Sequence, residues 1–324
     1  MAPGRVLAAA GVLALAAAAQ LAPAWTYAVS LAVFGLPHLA CELRYVDQRF
    51  SPRLARTTWE RLAAILVGIA CVRAAGLAGL GSLADRTTLE LLLGAALVAV
   101  VVRALGRGTA TVAAGATLVI ALAGAALWPV DTLVVFAFLH NLTPVGLLAE
   151  RLQGRARAHA MTWCVACFLL LPFAIAMGWF GDALGALGTG GTVYGPEGVG
   201  GVDENAAAFV PPSLLGNVAA ANLFRAAAFL QCMHYVVTIG VLPHLGPAGQ
   251  AGSGRLPWPR WPVFATGTAV ATLVVVMGHL VDFAATRACY GILASVHAWV
   301  EVPVLLLACP GAAAVGSRLA VETA

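Results

Sequence analysis

Four histidines of this 324-residue chain stand deep inside apolar runs: His38, His140, His234 and His297. Ionisable side chains at membrane depth are costly to hold there and default to a functional reading. Two of the four are followed at the fourth position by a carboxylate, giving His38-x-x-x-Glu42 and His297-x-x-x-Glu301. That spacing sets both members on one helix face. A carboxylate beside a metal-bound imidazole holds its second ring nitrogen or binds the ion itself. A lone histidine in a membrane helix more often bonds a neighbouring helix than a metal. Four on separate helices, with two carboxylates, reverse that preference. The set therefore reads as a buried metal centre, with His38, His140, His234 and His297 as ligands and Glu42 and Glu301 as catalytic or ligand-completing groups. Proton relay or substrate binding by the same residues is the other reading.

Imidazoles with carboxylates and no clustered thiolate suit Fe(II), Zn or Cu. Cys164-x-x-Cys167 reads as two small apolar residues on a membrane helix, and no second pair completes a four-thiolate zinc site. The other histidines carry less. His159 lies in a basic loop, His244 at a helix end, and His279 three residues before Asp282, where a surface hydrogen bond is expected.

The elements that must position these groups follow from composition. Hydrophobic residues make up 61% of the chain and charged residues 10%, against roughly 25% charged in a soluble domain. Apolar runs of membrane-spanning length recur at 6–22, 24–44, 62–80, 88–106, 109–128, 131–150, 160–180, 222–243, 263–283 and 288–309. The expectation is an all-α integral membrane protein, one polytopic bundle of about ten transmembrane helices with no internal repeat. The first run, although it resembles a signal peptide, reads as a retained helix.

Loops alternate in charge. One set carries Arg44, Arg49, Arg53, Arg56 and Arg61, then Arg103 and Arg107, then Arg151, Arg155 and Arg157, then Arg255 and Arg260. The opposite set is short or acidic and includes a Gly/Pro-rich segment, 182–213, read as an ordered cap. The positive-inside rule then puts both termini in the cytoplasm. At 1.5 Å per residue, His140 and His297 lie about 13 Å from the outer helix ends, His234 about 16 Å and His38 about 20 Å. All four thus share one layer. Residues 44–61 read as an interfacial amphipathic stretch anchored by Phe50, Leu54 and Trp59. The net charge of +4 fits membrane lipids as partners and not nucleic acid.

The surroundings of the histidines resemble the bacterial β-carotene central-cleavage dioxygenases (the Brp/Blh family). FGLPHLACE at 34–42 is similar to that family's Gly-Leu-Pro-His motif with an acid four positions on; Leu39 and Glu42 stand where the family carries Gly and Asp. AFLHN at 137–141, FLQCMHY at 229–235 and ASVHAWVE at 294–301 resemble its later histidine helices in the same order. Thr238 stands where the family has a further histidine. The resemblance implies a bacterial inner-membrane enzyme that uses histidine-bound non-haem iron and O₂ on a carotenoid or another lipid. Iron would sit on His38, His140, His234 and His297.

The leading expectation is thus a membrane-embedded non-haem iron oxygenase acting on a lipophilic substrate that arrives laterally from the bilayer. The alternatives are a carrier or proton-coupled transporter, in which Arg73 and Arg225 join the buried groups, and a bis-His haem electron-transfer protein.

Overall fold

A computed structural model describes residues 3–103, 105, 108–188, 193, 195–217, 219–245 and 254–309. Arg107 of the basic loops and the C-terminal residues 310–324 lie outside them. The described residues contain helices and turns and no strand. They form α1 (Pro3–Leu21), α2 (Pro23–Phe50), α3 (Arg56–Leu77), α4 (Leu83–Val102) and α5 (Thr109–Leu127). There follow α6 (Pro129–Leu139), α7 (Thr143–Arg151), α8 (Gly154–Val165), α9 (Leu171–Ala176), α10 (Trp179–Ala186) and α11 (Val202–Ala206). The chain closes with α12 (Ala219–Gly240), α13 (Leu242–Leu245), α14 (Trp261–Val281) and α15 (Phe283–Ala308). Among the described residues seven helical segments are long and apolar enough to cross a membrane. The protein is an all-α membrane bundle. α1, α3 and α4 match the other three apolar runs; α3 carries Arg56, Glu60, Arg61 and Arg73, and α4 carries Asp85, Arg86 and Glu90, more charges than the seven hold in their apolar stretches.

Two extremes show how the bundle is ordered. α12 is 72% buried over its apolar window, and α14 only 11%. A helix that is hydrophobic all round belongs in an interior or against lipid. On α12, Ala226, Ala227 and Ala228 are fully buried beside Phe224 and Phe229, because small side chains let neighbouring backbones close in. α14 instead turns Val263, Val270, Leu273, Val274 and Leu280 outward, as a lipid-facing helix does.

Two helix irregularities fall at histidines of the cluster, and a third lies elsewhere. Pro37 sits inside α2 immediately before His38, and a proline nitrogen has no hydrogen for the carbonyl one turn back. The sixth apolar run is two helices, α6 and α7, joined by a 3-10 turn at His140–Leu142, with Pro144 opening α7. The seventh is α8 and α9 joined by a π segment at Ala166–Leu170. Membrane helices tolerate such breaks where neighbouring groups re-satisfy the backbone.

Residues 44–61 depart from the expected interfacial stretch. α2 continues to Phe50, a 3-10 turn follows at Ser51–Arg53, and α3 begins at Arg56. Phe50 (1% exposed) and Leu54 (8%) are core residues and not lipid anchors. Polar ties at this end explain the longer helix. Asp47 accepts from the Arg255 and Leu256 amides at 3.2 and 3.0 Å and from Trp258 Nε1 at 3.0 Å. Arg49 and Arg53 both pair with Glu150 of α7, at 2.8 and 2.9 Å. The second tie fixes α2, which carries His38 and Glu42, against the helix that follows His140.

At the other end, described parts of the 182–213 segment form a cap. α11 and the chain after it pack Ala206, Phe209 and Val210 against Tyr27, Phe224, Phe283 and Tyr290. Ser213 donates from its amide and hydroxyl to Asp131 Oδ1, at 3.1 and 2.6 Å.

Candidate metal centre

The structure brings His38 of α2, His140 of the 3-10 turn, His234 of α12 and His297 of α15 into one cluster. Ring centroids lie 5.2 Å apart for His38 and His234, 5.1 Å for His38 and His297, and 6.1 Å for His234 and His297. His140 stands a little apart, 5.4 Å from His234 and 6.4 Å from His297. His38, His234, His297, Glu42 and Glu301 are all at most 2% exposed.

Each carboxylate faces two imidazoles. Glu42 Oε2 lies 3.2 Å from His234 Nε2 and 3.6 Å from His297 Nε2. Glu301 Oε1 lies 3.2 Å from His297 Nε2 and 3.9 Å from His234 Nε2. The i,i+4 spacing therefore places Glu42 on the face of His38, but its partners are on α12 and α15. Only Glu301 meets the histidine of its own helix.

Ring orientation is fixed at two positions. His38 Nδ1 lies 3.3 Å from the Phe34 carbonyl, and His140 Nδ1 bonds the Ala137 carbonyl. A carbonyl oxygen only accepts, so each Nδ1 carries the proton and each Nε2 keeps its lone pair. His38 is also stacked on Tyr235, centroids 4.1 Å apart at 25°. Glu301 has its second oxygen committed, since Thr143 Oγ1 donates to Oε2 at 2.6 Å.

The residues present fit a metal ion. Buried polar atoms are almost always hydrogen-bonded, yet His234 Nδ1 and His297 Nδ1 have no hydrogen-bond partner, and His297 Nε2 and Glu301 Oε1, 3.2 Å apart, are not aligned for a hydrogen bond. Ligands about 2.1 Å from one ion are separated by about 3.0–3.4 Å in octahedral or tetrahedral geometry. The four imidazole–carboxylate separations, 3.2 to 3.9 Å, are close to such polyhedron edges. One ligand atom from each of Glu42, His234, His297 and Glu301 lies within 4.8 Å of the others, and the same holds for His38, His234 and His297. Two carboxylates at this depth need a compensating cation or proton.

Thr238, where a fifth histidine would fall, is fully buried and donates to the His234 and Tyr235 carbonyls of its own helix, at 3.0 and 3.3 Å. It adds no ligand. His159 and His244 are exposed. His279 is buried and bonds the Val275 carbonyl at 2.9 Å. Asp282 instead caps α15 through the Ala285 amide at 2.9 Å, so the expected His279–Asp282 pair does not form. Cys164 and Cys167 are free thiols away from the cluster.

A cavity of 690 Å³ opens on the cluster, with His38, His140, His297 and Glu301 in its wall. It follows α15 from Arg287 to Cys309, about 33 Å of helix rise, close to the roughly 30 Å hydrocarbon core of a bilayer. His297 stands near the middle. Leu133, Phe136, Leu139, Trp299, Leu305 and Leu306 make much of the wall apolar.

One buried polar group had no counterpart among the sequence-derived candidates. Glu90, 2% exposed, pairs with Arg73 at 2.6 Å and accepts from Ser295 Oγ at 2.7 Å and Trp299 Nε1 at 3.0 Å. Its position in an apolar run was a usable signal. It clamps α3, α4 and α15 together one turn from His297 and Glu301.

Comparison of the chain with family models, curated proteins and solved structures gives no match.

Proposed function

We propose that this protein is a membrane-embedded, metal-dependent oxygenase acting on a long lipophilic substrate, with Fe(II) ahead of Zn or Cu as its ion. One observation carries the reading: a buried set of imidazoles and carboxylates with unpartnered atoms lies halfway along a largely apolar cavity about as long as a bilayer core is thick. Such a cavity suits an elongated carotenoid-like or other lipid with its reactive carbons beside the cluster.

Bound there, Fe(II) supplies the O₂ and one-electron chemistry that side chains do not. The chain's own residues do the rest. His38 and His140 present lone pairs on rings anchored at Nδ1, and the stacked Tyr235 keeps His38 in place. Thr143 holds one oxygen of Glu301 so that the other faces the imidazoles. Glu42 and Glu301 complete or orient the ligand set. The apolar walls exclude water and align the substrate. In this reading α1, α3 and α4 also span, giving ten crossings. The arginine-rich loops favour the inner membrane of a bacterium, both termini cytoplasmic.

Incubating iron-loaded protein with a lipid extract under ¹⁸O₂, followed by mass spectrometry, tests the activity. Labelled products formed by the wild type and absent from His234→Ala support it; no label above the apo-protein background refutes it. The second reading is a proton-coupled carrier, favoured by two carboxylates within reach of the same two imidazoles. Metal-independent, pH-driven flux in liposomes would select it. The carboxylates crowding His234 and His297 leave haem ligation the least supported.

A further inference from the structure

The cavity is not apolar at its cap end. There Arg287, in the second turn of α15, contributes to the lining together with Glu204 of α11. Arg287 Nη1 donates to Asn205 Oδ1 at 2.7 Å, and the guanidinium carbon lies 5.6 Å from the Phe283 ring centroid. Tyr27 lies beside it. Among the described residues no carboxylate lies within ion-pairing distance of Arg287, whereas Arg73 has Glu90 at 2.6 Å. Glu204 Oε2 is taken up by the Gly201 amide at 2.8 Å.

A guanidinium offers five N–H donors. Asn205 takes one and the Tyr27 hydroxyl another, and Asn205 is itself buried and fixed by Nδ2 bonds to the Val199 and Gly201 carbonyls at 2.8 and 2.9 Å. That arrangement orients the cation without neutralising it. A polar group lining an otherwise apolar cavity normally has an oxygen partner, and a bare hydrocarbon lying there would leave the remaining donors unmatched. Arg287 precedes His297 by about 15 Å along the same helix. An oxygen held by Arg287 would therefore set how far a chain reaches past the histidines.

We propose that the ligand of this cavity is a terminally oxygenated lipophile, whose hydroxyl, carbonyl or carboxylate oxygen is received by Arg287 beneath the cap while its apolar body runs past the histidine cluster. The proposal rests on the reading of this cavity as the substrate site. Arg287 is then a specificity determinant, remote from the reacting atoms.

The test uses the purified full chain and three absorbing polyenes of one length, ending in a methyl, a hydroxyl or a carboxylate. Their dissociation constants are measured for the wild type, Arg287→Leu and Arg287→Lys, with metal content determined on the same preparations. The oxygenated probes should bind the wild type at least about tenfold tighter than the hydrocarbon, the scale of one hydrogen bond to a charged donor. That advantage should largely vanish in Arg287→Leu and persist in Arg287→Lys. Equal binding of all three probes to the wild type overturns the proposal. So does an advantage that survives in Arg287→Leu, including the case where a loosened cap weakens all three alike. The order of alcohol and acid tells a neutral head from a charged one. A metal-free wild type that keeps the oxygen preference would refute the metal reading alone. A metal-loaded wild type without the preference would refute this inference alone. Binding of none of the probes would refute both the substrate cavity and its oxygen anchor.

Discussion

Replacing Thr143 with valine removes one hydroxyl and leaves the side-chain shape nearly unchanged. That hydroxyl donates to Glu301 Oε2 at 2.6 Å, and both residues are at most 2% exposed. A hydrogen bond to a charged group contributes about 1.5–3 kcal/mol. At 1.4 kcal/mol per decade this corresponds to about 10–100-fold in affinity, the range typical of groups that orient metal ligands. Thr143→Val should therefore bind its ion about 10–100-fold more weakly, and Thr143→Ser, which keeps the donor, should stay near the wild type. The assay is a competitive chelator titration of the detergent-purified protein, with bound metal read by inductively coupled plasma mass spectrometry. Val binding as tightly as Thr, or Ser as weakly as Val, would refute the role given to this hydrogen bond. In the second case packing around residue 143, and not the donor, would be responsible.

Three further outcomes follow from the same contacts. Chelation should lower the thermal midpoint of the wild type, because an ion held by α2, α12 and α15 stabilises the folded state by about 2.7 kcal/mol at a free concentration of 100 Kd; an unchanged midpoint in excess chelator contradicts this. Glu90→Ala leaves the buried Ser295 hydroxyl and Trp299 indole without their acceptor and should cost about 1–3 kcal/mol, seen as a lower midpoint in detergent with metal stoichiometry retained. Loss of metal at unchanged stability would instead make Glu90 part of the centre. Gly94→Ala places a Cβ inside the Trp299 ring, forcing α4 from α15 at about 1–3 kcal/mol; a wild-type midpoint would show that the two helices are not so close.

Much of the site was legible because membrane depth filters side chains. Histidines and carboxylates inside apolar runs are conspicuous, and the i,i+4 pairs gave the correct helix faces. The pairing itself was not legible. Glu42 was matched by spacing to His38, yet its contacts at 3.2 and 3.6 Å are with His234 and His297. Spacing along a helix says nothing of how neighbouring helices rotate about their axes. Thr143 and Tyr235 escaped for the same reason, their roles arising from α15 and α2, distant in sequence. Glu90 was identifiable as a carboxylate in an apolar run, but its partners Ser295 and Trp299 are 205 and 209 residues away. The apolar runs located the long helices, while the breaks at His140–Leu142 and Ala166–Leu170 depend on packing that hydropathy averages out. Phe50 and Leu54 were read as lipid anchors because amphipathic periodicity cannot tell a lipid-facing stripe from a core-facing one.

The central claim is that one buried ion joins these helices, and its most direct test is the metal content of the purified protein. Plasma mass spectrometry should find about one or more ions per chain in the wild type, and sharply less in His234→Ala and His140→Ala that remain folded by circular dichroism. Sub-stoichiometric metal in the wild type, or unchanged metal in both variants, would contradict the account.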